Sequence, residues 1–447
     1  MRLSAAMVTW AFCLLVNNAR AQSAAEKRQL ADEIERSIQT ELLNSWYPRN
    51  TDSLYGGFLT TFTYDFKPTG SQDKMIVTQA RHVWSNSIAT MLYRDVTYYK
   101  QGARQGFDFL QNSMWDKIHG GFFTLVDRQG RVKDSSEKTA YGNAFGIYAS
   151  AAWYKAAGDE RALDLAKKCF AWLEQHAHDP VYKGYFQDLQ MDGTPIKRSA
   201  SASSTSSTGY KDQNSSIHLL EAFTELYSVW ADPLLRERLH EMLLLIRDVI
   251  TTKEGNLTLF LQSDWKPVSF KDSSRRAIEQ HSYLDHLSFG HDVETAYLML
   301  EASHALGLKN DTVTLTAAKR MVDHALKTGW DNTKGGFFDE GYLFKGESQV
   351  TITRNSKNWW TQAEGLNTLL LMSDLFPNDP MHYFDKFKLM WHYIQTYLID
   401  HQYGDWYEEG LDTRPERKTS LKGHIWKATY HQFRAMSNCV KRLRSIE

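Results

Sequence analysis

The sequence predicts an all-α fold, an (α/α)6 barrel with short β-hairpins at one rim, and three observations lead there. The first is a Gly-aromatic turn that recurs six times: Tyr55-Gly56-Gly57-Phe58, His119-Gly120-Gly121-Phe122, Lys183-Gly184-Tyr185-Phe186, Glu254-Gly255-Asn256-Leu257, Lys334-Gly335-Gly336-Phe337 and Tyr403-Gly404-Asp405-Trp406. Self-similarity at a steady period marks a repeat architecture. The second is the spacing, because the first glycines of these turns lie 64, 64, 71, 80 and 69 residues apart, which leaves room for two helices per step. The third is a 3.6-residue apolar periodicity in two segments of every step. Six helix pairs, each with an apolar side to bury, close into two concentric rings because closure leaves no exposed end.

In chain order, Met1 and Arg2 precede an apolar run from Leu3 to Val16, and Ala19-Arg20-Ala21 supplies the small residues that a signal peptidase reads. Residues 1–21 are therefore an expected export signal, 22–447 the barrel domain, and the predicted location secreted or periplasmic. The apolar run is too short for a permanent membrane anchor. Apolar periodicity then predicts helices over 24–45, 78–98, 101–116, 137–157, 159–177, 214–231, 233–252, 292–307, 311–329, 357–376, 381–400 and 425–445. Most Gly-aromatic turns run into a short alternating stretch and a second turn, as in Phe122 to Asp127 before Arg128-Gln129-Gly130, or Tyr185 to Gln190 before Met191-Asp192-Gly193. These read as small rim hairpins. Two segments depart from the pattern: Arg198 to Gly209 is almost all Ser, Thr and Ala, and Lys271 to Gln280 is polar and basic. Neither composition packs a core, so both are expected as mobile rim loops that can serve as lids.

Composition narrows the function. Of 447 residues, 42% are hydrophobic and 23% charged, enough to bury a large core. Lys plus Arg total 52 against 53 for Asp plus Glu, so no general field draws the chain to nucleic acid or an anionic membrane, and neither partner is expected. The 14 Trp, 22 Tyr and 22 Phe supply many flat faces suited to stacking on sugars or to packing a helical core. Once Cys13 leaves with the signal, Cys169 and Cys439 are too few for a disulfide scaffold or a thiolate zinc site, and both fall in apolar helical patterns that predict buried free thiols, with a single bridge between them as the alternative.

One helix of each pair carries polar and aromatic residues inside an otherwise apolar pattern. In Ser288-Phe289-Gly290-His291-Asp292-Val293-Glu294, the spacing puts His291 and Glu294 on one helical face, where the carboxylate can orient the imidazole. Asn214-Ser215-Ser216-Ile217-His218-Leu219-Leu220-Glu221 repeats that pairing around His218, and Trp426-Lys427-Ala428-Thr429-Tyr430-His431 places a further histidine in the last helix, which ring closure brings near the first. None of these three histidines shares an HxxxH or HxH spacing with another, so no metal is expected. Arg81 is a fixed cation suited to an oxyanion, Trp359 and Trp360 are stacking platforms, and Tyr141, Asn143 and Glu364 are further polar entries. Together they describe an aromatic-lined cup with two proton carriers.

These segments resemble the N-acylglucosamine 2-epimerase superfamily, most closely its cellobiose 2-epimerase and mannose 2-epimerase branches, from about Glu26 to the C-terminus. The resemblance rests on Ser288 to Glu294, on Trp359-Trp360-Thr361-Gln362-Ala363-Glu364 and on Trp426-Lys427 followed by Tyr430-His431. It implies an (α/α)6 barrel that inverts C2 of a reducing sugar, with no redox cofactor or metal. Residue by residue it implies that His291 and His431 serve opposite faces of C2, that Arg81 stabilises the enediolate, that His218 assists ring opening, that Glu294 supports His291, and that Tyr141, Trp360 and Glu364 touch substrate. Asn143, Asn214, Tyr297, Trp359 and Trp426 complete the expected binding set. Tyr297 stands where cellobiose epimerases usually carry Trp, and Ala428-Thr429 replaces their usual Cys-Pro. Rival readings are an aldose-ketose isomerase, an acylglucosamine epimerase, a glycoside hydrolase using Asp292, Glu294 and Glu364, and a non-catalytic sugar-binding protein. The expected partner is a small sugar, bound by a monomer or homodimer.

Overall fold

The structure, a computed structural model, describes residues 24–133, 137–196 and 210–445. The expected export signal and the whole Ser-rich segment from Arg198 to Gly209 lie outside the described residues. Among the described residues, twelve long helices form the body. They are α1 (24–46), α2 (Ile76–Leu92), α3 (Thr97–Phe109), α4 (Ala140–Ala157), α5 (Glu160–His176), α6 (Gln213–Tyr227) and α7 (Pro233–Leu245), then, after a short α8 (Arg275–His281), α9 (Phe289–Ala305), α10 (Thr312–Thr328), α11 (Trp359–Leu375), α12 (Tyr383–Tyr393) and α13 (Tyr430–Arg444). The even-numbered helices α2, α4 and α6 pack side by side, α6 continues to α9, α9 to α11, α11 to α13, and α13 returns to α2, which closes an inner ring of six. Helices α1, α3, α5, α7, α10 and α12 form the outer ring, each packed on its inner partner. This is the (α/α)6 barrel. Among the described residues no helix is long and apolar enough to cross a membrane.

The two rings differ in chemistry because they differ in surroundings. Outer α5 is amphipathic, burying Leu163, Leu165, Ala166, Phe170 and Leu173 along one stripe. Inner α4 is covered on all sides and buries a near-continuous run of small residues, including Ala144, Gly146, Ala149, Ser150 and Ala151, which lets neighbours approach closely.

The Gly-aromatic turns bring the chain from each outer helix to the inner ring. Gly121 has φ +71°, and a Cβ there would meet the Trp172 ring at 2.9 Å, so both backbone and space require glycine. The rim strands extend the hairpin reading. The turns within units are bridges such as Val126 with Val132 and Leu189 with Pro195, and the regular ladders pair residues just before an inner helix with the following unit. Lys74–Met75 pairs with Leu125–Val126, Glu137–Thr139 with Asp188–Gln190, and Lys211–Asp212 with Phe260–Leu261.

At five of the six turns a buried ion pair locks this stitching: Lys74 with Asp52 at 3.0 Å, Lys138 with Asp116 at 2.7 Å, Lys211 with Asp179 at 2.8 Å, Lys357 with Asp331 at 2.7 Å and Lys422 with Asp400 at 2.7 Å. Lys138 also donates to the carbonyls of Gly120 and Met191, so one ammonium joins a turn to the next unit's rim. The fourth turn has Thr252 at the Asp position. Removing one partner of a buried pair strands the other charge, so Lys138→Met is expected to destabilise the barrel by about 3–5 kcal/mol, read as a lower denaturation midpoint.

One expectation needs correction. Lys271 to Gln280 is not a mobile loop throughout: α8 occupies most of it. Ser274 caps the helix, Ile278 is buried with Tyr342 and Phe344, and the Arg275 guanidinium lies 3.8 Å from the Phe344 ring centroid. Its few apolar residues pack locally on the strand over Glu340–Tyr342. Cys169 and Cys439 are buried and free, as their apolar context predicts.

Candidate active site

The inner helices enter the barrel with their N-termini at the strand rim, so residues early in each helix share a layer. The sixth residue of α2, α4, α6, α9 and α11 is Arg81, Phe145, His218, Glu294 and Glu364, and the fifth of α13 is Arg434. One layer nearer the rim stand Tyr141, Asn214, His291, Trp360 and His431. Together they border a cavity of about 200 Å³ lined by Arg81, Tyr141, Asn214, His218, His291, Glu294, Trp359, Trp360, Trp426 and His431. Ten of the thirteen residues predicted from sequence therefore face one hollow. Trp426 is half exposed and sits at its mouth. A second hollow of about 490 Å³ adjoins it, sharing Tyr141, Asn214, His291 and Trp426 and continuing past Thr139, Gln187, Leu259, Phe260, Tyr283 and His286.

Each histidine of the cavity is held by Nδ1, with Nε2 left for chemistry. His218 Nδ1 lies 2.8 Å from Glu221 Oε2, His431 Nδ1 2.7 Å from Glu364 Oε1, and His291 Nδ1 2.7 Å from Ser288 Oγ. A carboxylate can only accept, so His218 and His431 carry their protons on Nδ1. His291 and His431 lean on the same indole, with ring centroids 4.7 and 6.0 Å from Trp360. Burial, with His218, His286 and His431 as like-charged neighbours, pushes the His291 pKa down to about 3. Burial and the Arg81 and Arg434 cations lower that of His431 against the pull of Glu294. Both imidazoles thus rest neutral, the form that accepts a proton.

The cation of the site is equally fixed. Arg81 donates from Nη2 to the Tyr141 hydroxyl at 3.0 Å and from Nη1 to the Trp426 carbonyl at 3.2 Å, with its guanidinium 4.7 and 5.1 Å from the Phe145 and Tyr430 rings. It is preorganised to meet negative charge that develops in the cavity.

Below the cavity lies a group that sequence reasoning missed. Arg434, buried on α13, donates to Glu221 on α6, to Glu294 on α9 and to Glu364 on α11, the latter two each at 2.6 Å. Glu294, Glu364 and His431 cluster closely enough to suggest metal ligands, but the Arg434 guanidinium already lies between the two carboxylates. The signal was present in Tyr430-His431-Gln432-Phe433-Arg434: three inner-facing carboxylates on three helices require a cation among them.

Four of the roles predicted from sequence change. Glu294 does not support His291: its carboxylate turns to Arg434 and lies 3.9 Å from His431 Nδ1, and Ser288 holds His291 instead. Glu364 does not line the cavity; fully buried, it orients His431 from behind. Asn143 belongs to the frame, because it accepts from the Phe122 backbone N–H at 2.8 Å and donates to the Thr139 carbonyl. Gln79 and Gln362 do the same for Phe58 and Phe337, and Asp292 accepts from Leu257, so this fourth helix position is structural in four of the six inner helices. Tyr297 lies beside Arg434, its hydroxyl accepting from Asn438 Nδ2 at 3.0 Å, away from the cavity lining. The glycoside hydrolase reading fails for the same reason: Asp292, Glu294 and Glu364 are all committed to other groups.

Residues 56–435 match the family model described as N-acylglucosamine 2-epimerase (GlcNAc 2-epimerase). The chain belongs to this family. It is similar to a cellobiose 2-epimerase of Bacteroides fragilis, 27% identical over 412 residues that cover 91% of this chain and 97% of the relative. A D-mannose isomerase of Thermobifida fusca is 26% identical over 310 residues, 69% of this chain and 70% of the relative. The solved cellobiose 2-epimerase of Spirochaeta thermophila superposes with a TM-score of 0.79 at 28% identity, covering 94% of this chain and 98% of that one. As a member of the N-acylglucosamine 2-epimerase family with these relatives, the chain is an isomerase-class enzyme.

Proposed function

We propose that this enzyme of sugar epimerisation or isomerisation inverts C2 of a reducing aldose reversibly, passing the C2 proton between His291 and His431 through an enediolate. The observation that carries the reading is the placement of both imidazoles on one small cavity, against one indole, with a fixed guanidinium beside them. The C2 proton of an aldose becomes removable only when the ring is open and charge at O1 is stabilised, which is the role of Arg81. One imidazole takes the proton at Nε2, the planar intermediate turns about C2–C3, and the other returns a proton to the opposite face. His218, tied to Glu221, is suited to proton traffic at the ring oxygen and O1. No step needs a metal or redox cofactor.

The substrate class we favour is a glucosyl- or mannosyl-ended disaccharide of the cellobiose type, with free mannose or glucose as the smaller alternatives. The 490 Å³ hollow beyond Trp426 supports the larger sugar, since it offers space outside the cavity for a second ring. Similarity to D-mannose isomerases supports a second reading, in which the same enediolate is reprotonated at C1.

Proton NMR in deuterated water with glucose, mannose, cellobiose, mannobiose and N-acetylglucosamine separates these. The expected result is an epimer carrying deuterium at C2. A ketose product would establish the second reading, and no exchange at C2 of any of these sugars would overturn both. The proposed export of the chain predicts that the mature protein begins at Gln22, read by N-terminal sequencing.

A further inference from the structure

Ser288 stands directly before α9, the position where a helix-capping side chain is strongly favoured. At the equivalent positions Thr139 Oγ1 accepts from the Gly142 N–H at 2.9 Å and Asp212 Oδ1 from the Ser215 N–H at 3.0 Å. Ser288 has capping chemistry and does not cap: its hydroxyl lies 2.7 Å from His291 Nδ1. The other two imidazoles of the cavity have a carboxylate in this place, and both carboxylates are tied to Arg434. His291 alone among the three is backed by a neutral group. Around it stand His218 on α6, His286 just before the short strand Leu287–Ser288, His431 on α13 and the Trp360 indole on α11, while Glu294 of its own helix is turned to Arg434.

We propose that Ser288 is the positioning residue of His291: its oxygen accepts the Nδ1 proton, which fixes the tautomer that presents an Nε2 lone pair to the cavity, and its neutrality leaves the ring without an anion that would favour the charged form. This rests on the two-histidine reading and deepens it, because the two proton carriers are then unequal. His431, backed by Glu364, is the better holder of an added proton; His291, backed by a hydroxyl, gives one up more readily. A neutral histidine side chain in water prefers its proton on Nε2, so without Ser288 the lone pair would turn away from the substrate. The hydroxyl that would otherwise cap α9 serves the imidazole.

The test is long-range proton–nitrogen NMR on labelled, sugar-free protein, comparing wild type with Ser288→Ala and Ser288→Thr. The wild type and Ser288→Thr are expected to show neutral His291 protonated at Nδ1, and Ser288→Ala a shift toward the Nε2–H form with an unchanged melting temperature. In turnover, Ser288→Ala is expected to lose about tenfold in kcat with KM within about twofold, and Ser288→Thr to restore it. Nε2–H as the wild-type form, or a His291 tautomer indifferent to Ser288→Ala, would overturn the proposal. Failure of every sugar to exchange at C2 would sink the proposed reaction and leave the tautomer measurement to judge Ser288 on its own.

Discussion

Alanine at His431 is expected to lower the rate of epimer formation by on the order of 10²–10⁴-fold, with alanine at His291 equally severe, because each imidazole supplies a proton transfer that nothing else in the cavity replaces. The two losses differ in a way that rate alone does not show. With His431 removed, His291 still reaches one face of C2, so one epimer should exchange its C2 hydrogen for solvent deuterium with its configuration retained while the other stays silent. With His291 removed, the silent and exchanging epimers trade places. A single-base enzyme would lose exchange from both epimers with one substitution and from neither with the other. Measuring C2 deuterium in each epimer separately, for both variants, checks the assignment. A sugar-binding protein without catalysis would show a change in affinity alone.

The second large effect concerns Arg434. Arg434→Met strands three carboxylates that reach it from α6, α9 and α11, and loss of one partner from a buried ionic network costs about 3–5 kcal/mol. Thermal denaturation should show it, and Arg434→Met combined with Glu221→Gln should recover part of the loss by removing one stranded charge. The pH dependence has a definite sign. Burial raises the Glu221 carboxyl, but Arg434 and the bond from His218 outweigh it and pull the pKa down to about 2. A carboxylate depressed in the folded state contributes stability that is full above its unfolded pKa, near 4.3, and is lost as pH falls toward the folded value. The wild type should therefore lose this contribution as pH falls toward about 2, whereas protonation relieves the stranded carboxylates of Arg434→Met, so the stability gap between the two should narrow in acid. Activity should fall too, since Glu221 and Glu364 orient His218 and His431.

The architecture was legible because it repeats. Six Gly-aromatic turns at nearly even spacing, with two apolar periodic segments between each, leave few arrangements other than two closed rings. What escaped was the lysine–aspartate pair behind five of the six turns. Asp116 and Lys138 look like ordinary surface charges until folding buries both, and charge periodicity across a whole repeat carries no helical or strand signature. The site was legible as a set of residue types and less so as a network. His291, His431, His218 and Arg81 stood out because titratable groups inside apolar helices require an explanation. Their partners did not follow from spacing alone: the i,i+3 rule holds for His218 with Glu221 and fails for His291 with Glu294, where a cation on another helix competes for the carboxylate. Asn143 was misread for a related reason. An amide at the fourth position of an inner helix looks like a ligand until Gln79, Asp292 and Gln362 are seen making the same bond to a turn.

The central claim is that His291 and His431 address one sugar carbon from two sides. The most direct measurement is a crystal structure with an open-chain polyol matching the substrate, the sugar alcohol of cellobiose or of mannose, bound in the cavity. The account predicts C2 between the two Nε2 atoms, each about 3–3.5 Å away, with O1 toward Arg81. A polyol whose C2 touches one imidazole alone, or that lies only on Trp426 outside the cavity, would contradict it.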